Sequence, residues 1–331
     1  MPKIIAFQCP ISIAHGDIMG RKNVPLKQLN FPIPVLKCFQ SKGRGPREAI
    51  SMTVVTKQDI MNTLTRLGIQ KGDVVVFHSS LKSMGRVEGG AQTVIDAFLE
   101  QVGPDGTVSV PTLLGESYAV AFDIWDRDTT PSEVGYITEV FRTMPGTLRS
   151  DNPTHSLAAR GRLAHELTCE HDGYGPRPGM FGQWAFSHSS PWQKLYDYNG
   201  KIVWVGTSTL TGTHRHLAEY VAAEKVIEKH PEALEALMTY NDPRGENAFF
   251  PMLKWCTRDS VFERLFRDRG QLLSAPCGDA VFQAIDVRTF VDTELELMLK
   301  DPLTYTDVTD PEWVQWMLDV DDYSMTTWPK E

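Results

Sequence analysis

From Thr56 onward, apolar positions recur with two alternating periods. In "TKQDIMNTLTRLGI" (56–69), Ile60, Leu64 and Leu67 share one helical face, with Thr56 as the cap and Gly68 at the end. "KGDVVVFHSS" (71–80) reads as a turn and then a buried strand from Val74 to Phe77. "GGAQTVIDAFLEQVG" (89–103) predicts a helix with Val94, Ile95, Phe98 and Leu99 inward, closed by Gly103. "PDGTVSVPT" (104–112) is a turn and a strand, and "GYITEVFRTMPG" (135–146) is a helix stopped by Pro145 and Gly146. "NGKIVWVGTS" (199–208) gives another turn and buried strand. It leads into "HRHLAEYVAAEKVIEKH" (214–230), a helix stopped by Pro231. Strands alternating with helices predict an α/β fold: one large domain with a mostly parallel central sheet and helices on both faces. Later, "GDAVFQAIDVRTFVDTELELMLKDP" (278–302) reads as strand then helix, and "PEWVQWMLDVDDYS" (311–324) as a short amphipathic helix.

No period persists before Met52. Residues 1–52 carry Pro2, Pro10, Pro25, Pro32, Pro34 and Pro46 and the basic stretch "QSKGRGPR" (40–47). They are expected to form a weakly ordered N-terminal extension, with Met52 as the functional start. The folded domain is expected over 53–303 and a C-terminal tail helix within 304–331. "MPKIIAFQ" (1–8) is too weak for a secretory signal, and no apolar run reaches membrane-spanning length.

Charge narrows the partners. With 33 basic and 42 acidic residues, the net charge is −9. That disfavours nucleic acid and favours small cations. Cys9, Cys38, Cys169, Cys256 and Cys277 are scattered without C-x-x-C spacing. A zinc ribbon is not expected, and reduced thiols in the cytoplasm are. No membrane partner is expected, and a homodimer is an open assembly.

Three stretches could carry chemistry. The turn after the first strand offers His78, Ser79, Ser80 and Lys82, where open α/β sheets place ligands. It lacks both the P-loop and the dinucleotide glycine patterns, so a plain serine-capped turn stands at even odds with a phosphate or amide cradle. His155 follows the Asn152-Pro153 bend and by itself reads as a turn residue. In "THRHLAEY" (213–220), His216 and Glu219 are three apart and can touch on a helix, while His214 points elsewhere. A metal site lacks further ligands there. A catalytic pair competes with an ordinary helix start and a solvent-facing glutamate, which spacing alone favours.

Taken together, these blocks resemble the aminoglycoside 3-N-acetyltransferase family. The likeness runs through 74–112, through "VGYITEVFRTMPGTLRSDNPTHSLAARG" (134–161), through "HLAEY" (216–220) and through 278–302. The resemblance implies a single α/β domain that moves acetyl from acetyl-CoA directly to a small-molecule amine, without metal. It implies that Ser79, Ser80, Leu81 and Lys82 hold CoA. It makes His216 the base and Glu219 its orienting partner, with Ser208 and Thr213 nearby. The family's second block usually has histidine before the proline. Here that residue is Asn152, and the nearby histidine is His155. Both, with Asp123, become candidate acceptor contacts. Asp123, Asp126 and Asp128 in "FDIWDRD" (122–128) read first as a solvated loop. The aromatic-rich stretch 173–200 reads as an acceptor lid or a packed excursion. Two alternatives remain. One is a hydrolase or acyltransferase acting through an acyl-serine at Ser79 or Ser80, although no G-x-S-x-G elbow is present. The other is a CoA-binding relative without activity, against which the His216/Glu219 pair argues.

Overall fold

The computed structural model describes residues 54–115, 121–234 and 259–326. The extension expected at 1–52 and the last residues of the tail lie outside them.

Thr56 starts α1 (Lys57–Arg66) through a reciprocal cap. Its hydroxyl accepts from the Asp59 N–H, and the Asp59 carboxylate accepts from the Thr56 N–H at 2.9 Å. Then follow β1 (Val74–Ser79), α2 (Ala91–Val102), β2 (Thr107–Pro111), α3 (Ala121–Ile124) and α4 (Tyr136–Thr143). Next come β3 (Leu148–Arg149), β4 (Leu157–Gly161), α5 (Ala164–Thr168), α6 (Pro191–Asp197), β5 (Lys201–Val205) and α7 (His214–Lys229). The chain continues with α8 (Asp259–Asp268), β6 (Leu273–Cys277), β7 (Ala280–Asp286), α9 (Val287–Lys300), α10 (Pro302–Tyr305) and α11 (Pro311–Asp319).

Seven strands form one mixed sheet in the order β3-β4-β2-β1-β5-β7-β6. The expected mostly parallel sheet is a correction: only β1 with β2 and β1 with β5 run parallel, and the other four pairings are antiparallel. The reason is local. β6 and β7 are joined by Gly278 and Asp279 alone, and a two-residue link returns the chain antiparallel. The β3–β4 hairpin turns through the Asn152-Pro153 bend. Both hairpins fall where the sequence pattern showed a polar turn or a single strand.

Helices cover both faces. On one, Ile60 and Leu64 of α1, Phe98 of α2 and Phe141 of α4 pack on Val75 and Phe77. On the other, Val76 and Trp204 meet Leu217 and Val221 of α7, Leu295 of α9 and Trp313 of α11. Alternation along β1 therefore puts His78, two residues after Val76, on the α7 side.

Candidate active site

α7 is a core helix: twelve of its sixteen residues are buried. Its entry is fixed by a short turn at Thr209–Thr211, capped where the Ser208 hydroxyl accepts from the Leu210 N–H. Gly212 then lies so close to Trp204 that a Cβ would come within 2.9 Å of the indole, so only glycine fits. The helix begins at His214.

His216 Nδ1 and Glu219 Oε2 are 2.7 Å apart, and the two residues are 8% and 4% exposed. This replaces the picture of a solvent-facing glutamate. An ionised carboxylate only accepts, so Nδ1–H donates to Glu219. Phe181 packs edge-on at 4.8 Å and His155 at 5.8 Å between ring centroids. Burial, then the charges of His216 and His171, push the His155 imidazole well below its ordinary range. A second positive charge beside His216 is therefore suppressed.

His216 opens into a cleft of about 1010 Å³ at the carboxyl ends of β1, β2 and β5. His78 and Ser79 come from β1, and Pro111, Leu113 and Leu114 from the chain after β2. Glu133, Val134 and Gly135 lead into α4, Thr154 and His155 follow the bend, and Met180 and Phe181 come from the excursion. Thr207 and Leu210–Thr213 close the side below α7.

The structure separates the expected residues. Ser79 lines the cleft, but Ser80, Leu81 and Lys82 are not among its lining residues. The Ser80 N–H, expected to be open for a ligand, donates to Val205 O at 2.9 Å, and the Ser80 carbonyl accepts from Ser83. Leu81 packs against the core and Lys82 is exposed. Asn152 is a turn builder. Its Oδ1 accepts from the N–H groups of Thr154 and His155 at 3.1 and 2.8 Å, and its amide donates to Asp172. Burial raises the Asp172 carboxyl to about 6. Asp123 is exposed and outside the described cleft lining. Asp126 accepts from Asp128 and Thr129 N–H groups, and Asp128 pairs with Arg127, as in a solvated loop. Ser208 caps the turn and Thr213 lines the cleft.

Sequence reasoning gave no role to three residues that the structure places in or behind the cleft. His214 is fully buried, edge-on to Trp192 at 5.3 Å, and burial and His78 push it to about 3. His78, on the cleft floor, is 5% exposed. Its signal was the alternation that pairs it with Val76. Glu133 is the one carboxylate among the described lining residues; it lies just before the helix pattern, where nothing distinguished it. The 173–200 excursion is packed rather than free, and its Met180 and Phe181 wall the cleft. Among the described residues no group of three or more histidine, cysteine, aspartate or glutamate side chains is placed to hold a metal ion. No described helix is long and apolar enough to cross a membrane.

The aminoglycoside 3-N-acetyltransferase family profile matches residues 76–299, about two thirds of the chain, and so spans every wall of the cleft. The chain belongs to this family. Aminoglycoside N(3)-acetyltransferase IX of Micromonospora chalcea is 33% identical over 187 residues, covering 51% of this chain and 63% of that protein. The SPbeta prophage-derived aminoglycoside N(3')-acetyltransferase-like protein YokD of Bacillus subtilis (strain 168) is 32% identical over 195 residues, covering 53% and 68%. The first match thus spans less than two thirds of its relative. Among solved structures, AAC-IIIb in a binary complex with CoASH superposes with a TM-score of 0.59 at 22% identity, over 78% of this chain and 100% of that one. At that identity the likeness establishes the shared fold.

Proposed function

We propose that this family member transfers the acetyl group of acetyl-CoA to an amine of a small cationic, aminoglycoside-like acceptor by direct attack. His216 is the general base and Glu219 holds its ring. The observation that carries this is the buried His216–Glu219 hydrogen bond at 2.7 Å, with the imidazole lining the cleft. An acceptor ammonium must lose a proton before its nitrogen attacks, and the amine–carbonyl adduct must lose another. The Nε2 lone pair serves that need.

CoA lies along the turn from Ser79 to Lys82, a reading supported by the family resemblance through 74–112; the CoASH carried by a solved relative supports the donor rather than its place. On the acceptor side, His155 contributes directly, Asn152 acts by shaping the bend that carries it, and Asp123 contributes charge alone. The net charge of −9 suits a cation. The acyl-serine alternative is disfavoured because Ser79 Oγ, sealed from solvent, has no hydrogen-bond partner and therefore no base.

The test is release of free thiol from acetyl-CoA with and without a panel of amines. The proposal expects release only with an amine. Release without one supports a hydrolase, and no release with CoA still raising the melting temperature supports a binder. Two variants refine it. Glu219→Gln should lower kcat by about 10- to 100-fold, the worth of one hydrogen bond to a charged group. Ser80→Trp should abolish the thermal stabilisation that CoA at about 100 times its Kd gives, about 2.7 kcal/mol. An unchanged shift in that variant places CoA elsewhere.

A further inference from the structure

The proposed reaction needs a second group, opposite the base. As the amine attacks, charge grows on the thioester oxygen, and donors placed there supply much of the acceleration. The expected backbone donor at Ser80 is already bonded to Val205 O. Three cleft-lining side chains carry a buried polar atom without a hydrogen-bond partner: His78, Ser79 and His155. His78 ends β1 on the α7 side, next to Ser79 where the CoA turn begins, and lines the same cleft as His216. Its register partner on β5 is Trp204, whose ring lies nearly parallel with centroids 6.3 Å apart. Its Nε2 is sealed from solvent without a hydrogen-bond partner, so the ring nitrogen left to meet a group in the cleft is Nδ1.

We infer that His78 is a further catalytic residue, whose neutral imidazole donates an N–H to the thioester carbonyl oxygen while His216 takes the proton of the amine. This rests on the acetyltransferase reading above. The position fits the chemistry. His78 lines the same cleft as His216 and lies beside His214 and Arg215 at the start of α7. Its charge state fits as well. Burial, then the Arg215 guanidinium, push His78 down to about 3, so it stays neutral at every working pH and does not compete for the proton that His216 carries. A neutral imidazole acting as an electrophile is an established enzymatic device.

The step balances without another reagent. The amine lone pair bonds to the carbonyl carbon and its proton passes to His216 Nε2. The carbonyl π pair moves onto oxygen, which accepts the His78 hydrogen bond. The C–S bond breaks, the amide carbonyl reforms, and the thiolate receives the proton from His216. His78 exchanges no proton.

The experiment compares His78→Phe, which keeps a ring but no donor, with His78→Gln, which keeps an N–H. His78→Phe should lower kcat about 10²- to 10³-fold, with the Kd for CoA unchanged, and His78→Gln should recover at least about tenfold of that loss. Equal kcat in the two variants, or unimpaired turnover in His78→Phe, overturns the proposal. If His78→Phe does not fold, the infrared carbonyl stretch of 13C-labelled acetyl-CoA bound to the unaltered protein and to His78→Gln gives a second reading. The stretch should lie below its value in aprotic solvent and shift on the substitution; no change in either overturns the role of His78. Failure of the unaltered protein to release thiol with any amine overturns the acetyltransferase reading and this inference together. Amine-dependent release with an unshifted carbonyl overturns only this one.

Discussion

His216→Ala is expected to lower turnover by about two to four orders of magnitude, the range for loss of a positioned general base. Thermal stabilisation by CoA should persist, because the turn proposed to hold CoA belongs to β1 and the 81–84 segment rather than to α7. The size follows from geometry. Glu219 fixes one ring nitrogen at 2.7 Å, and Phe181 and His155 pack edge-on against the ring, which lines the cleft. Steady-state rates at saturating acetyl-CoA and amine check this. A loss below about tenfold would move the base elsewhere. His214→Ala probes a different quantity, stability, because His214 is fully buried against Trp192.

The second large effect lies in the wall behind the cleft. Arg177 is fully buried, and its guanidinium serves several partners at once. Nε donates to Glu224 at 2.8 Å, Nη1 to Phe186 O at 2.9 Å, and Nη2 to Gln193 and Thr326, both at 2.9 Å. His188 Nδ1 accepts from Nη2, so its Nε2–H donates to Glu224 Oε1 at 2.7 Å. One cation thus ties the excursion to α6, to α7 and to the end of the described chain. Arg177→Ala removes the counter-charge of Glu224, which keeps only its hydrogen bonds from His188 and Thr326, and leaves the Phe186 carbonyl unpaired; it should cost about 3–5 kcal/mol. For a domain of this size that is a fall in Tm of about 10 °C, read by calorimetry. The pH dependence has a definite sign. Burial would raise Glu224, but the His188 hydrogen bond and the Arg177 charge hold it at about 2, below its ordinary 4.5. The stabilisation is complete above about 4.5 and is lost as pH falls through about 2. The gap between unaltered protein and variant should narrow over that window.

Much of this was legible in the chain. The helices α1, α2, α4 and α7 carry strong 3.6-residue patterns and clear stops, and the strands β1, β2 and β5 are apolar runs after glycine turns. What the pattern hid was pairing direction. β4, "LAARG", and β6, "LSAPC", are short and mixed, and their hairpins depend on partners distant in sequence. The same division applies to the site. His216 and Glu219 stood out by spacing and by resemblance. Asn152 looked like a substrate contact because it occupies the usual histidine position, yet its oxygen is committed to backbone N–H groups. His78 was noted only as part of the turn after β1, and Arg177 drew no notice, because a histidine ending a strand and an arginine in a glycine-rich stretch carry no local signature. Only the fold brings His78 beneath α7 and Arg177 against Glu224.

The most direct test follows the acetyl group itself. The protein is mixed with acetyl-CoA for a single turnover, first alone and then with an acceptor amine, and the masses of protein and amine are measured. Direct attack assisted by His216 predicts an unmodified protein in both samples and acetyl on the amine in the second. Acetyl carried on Ser79 or any other residue before the amine is added would contradict it.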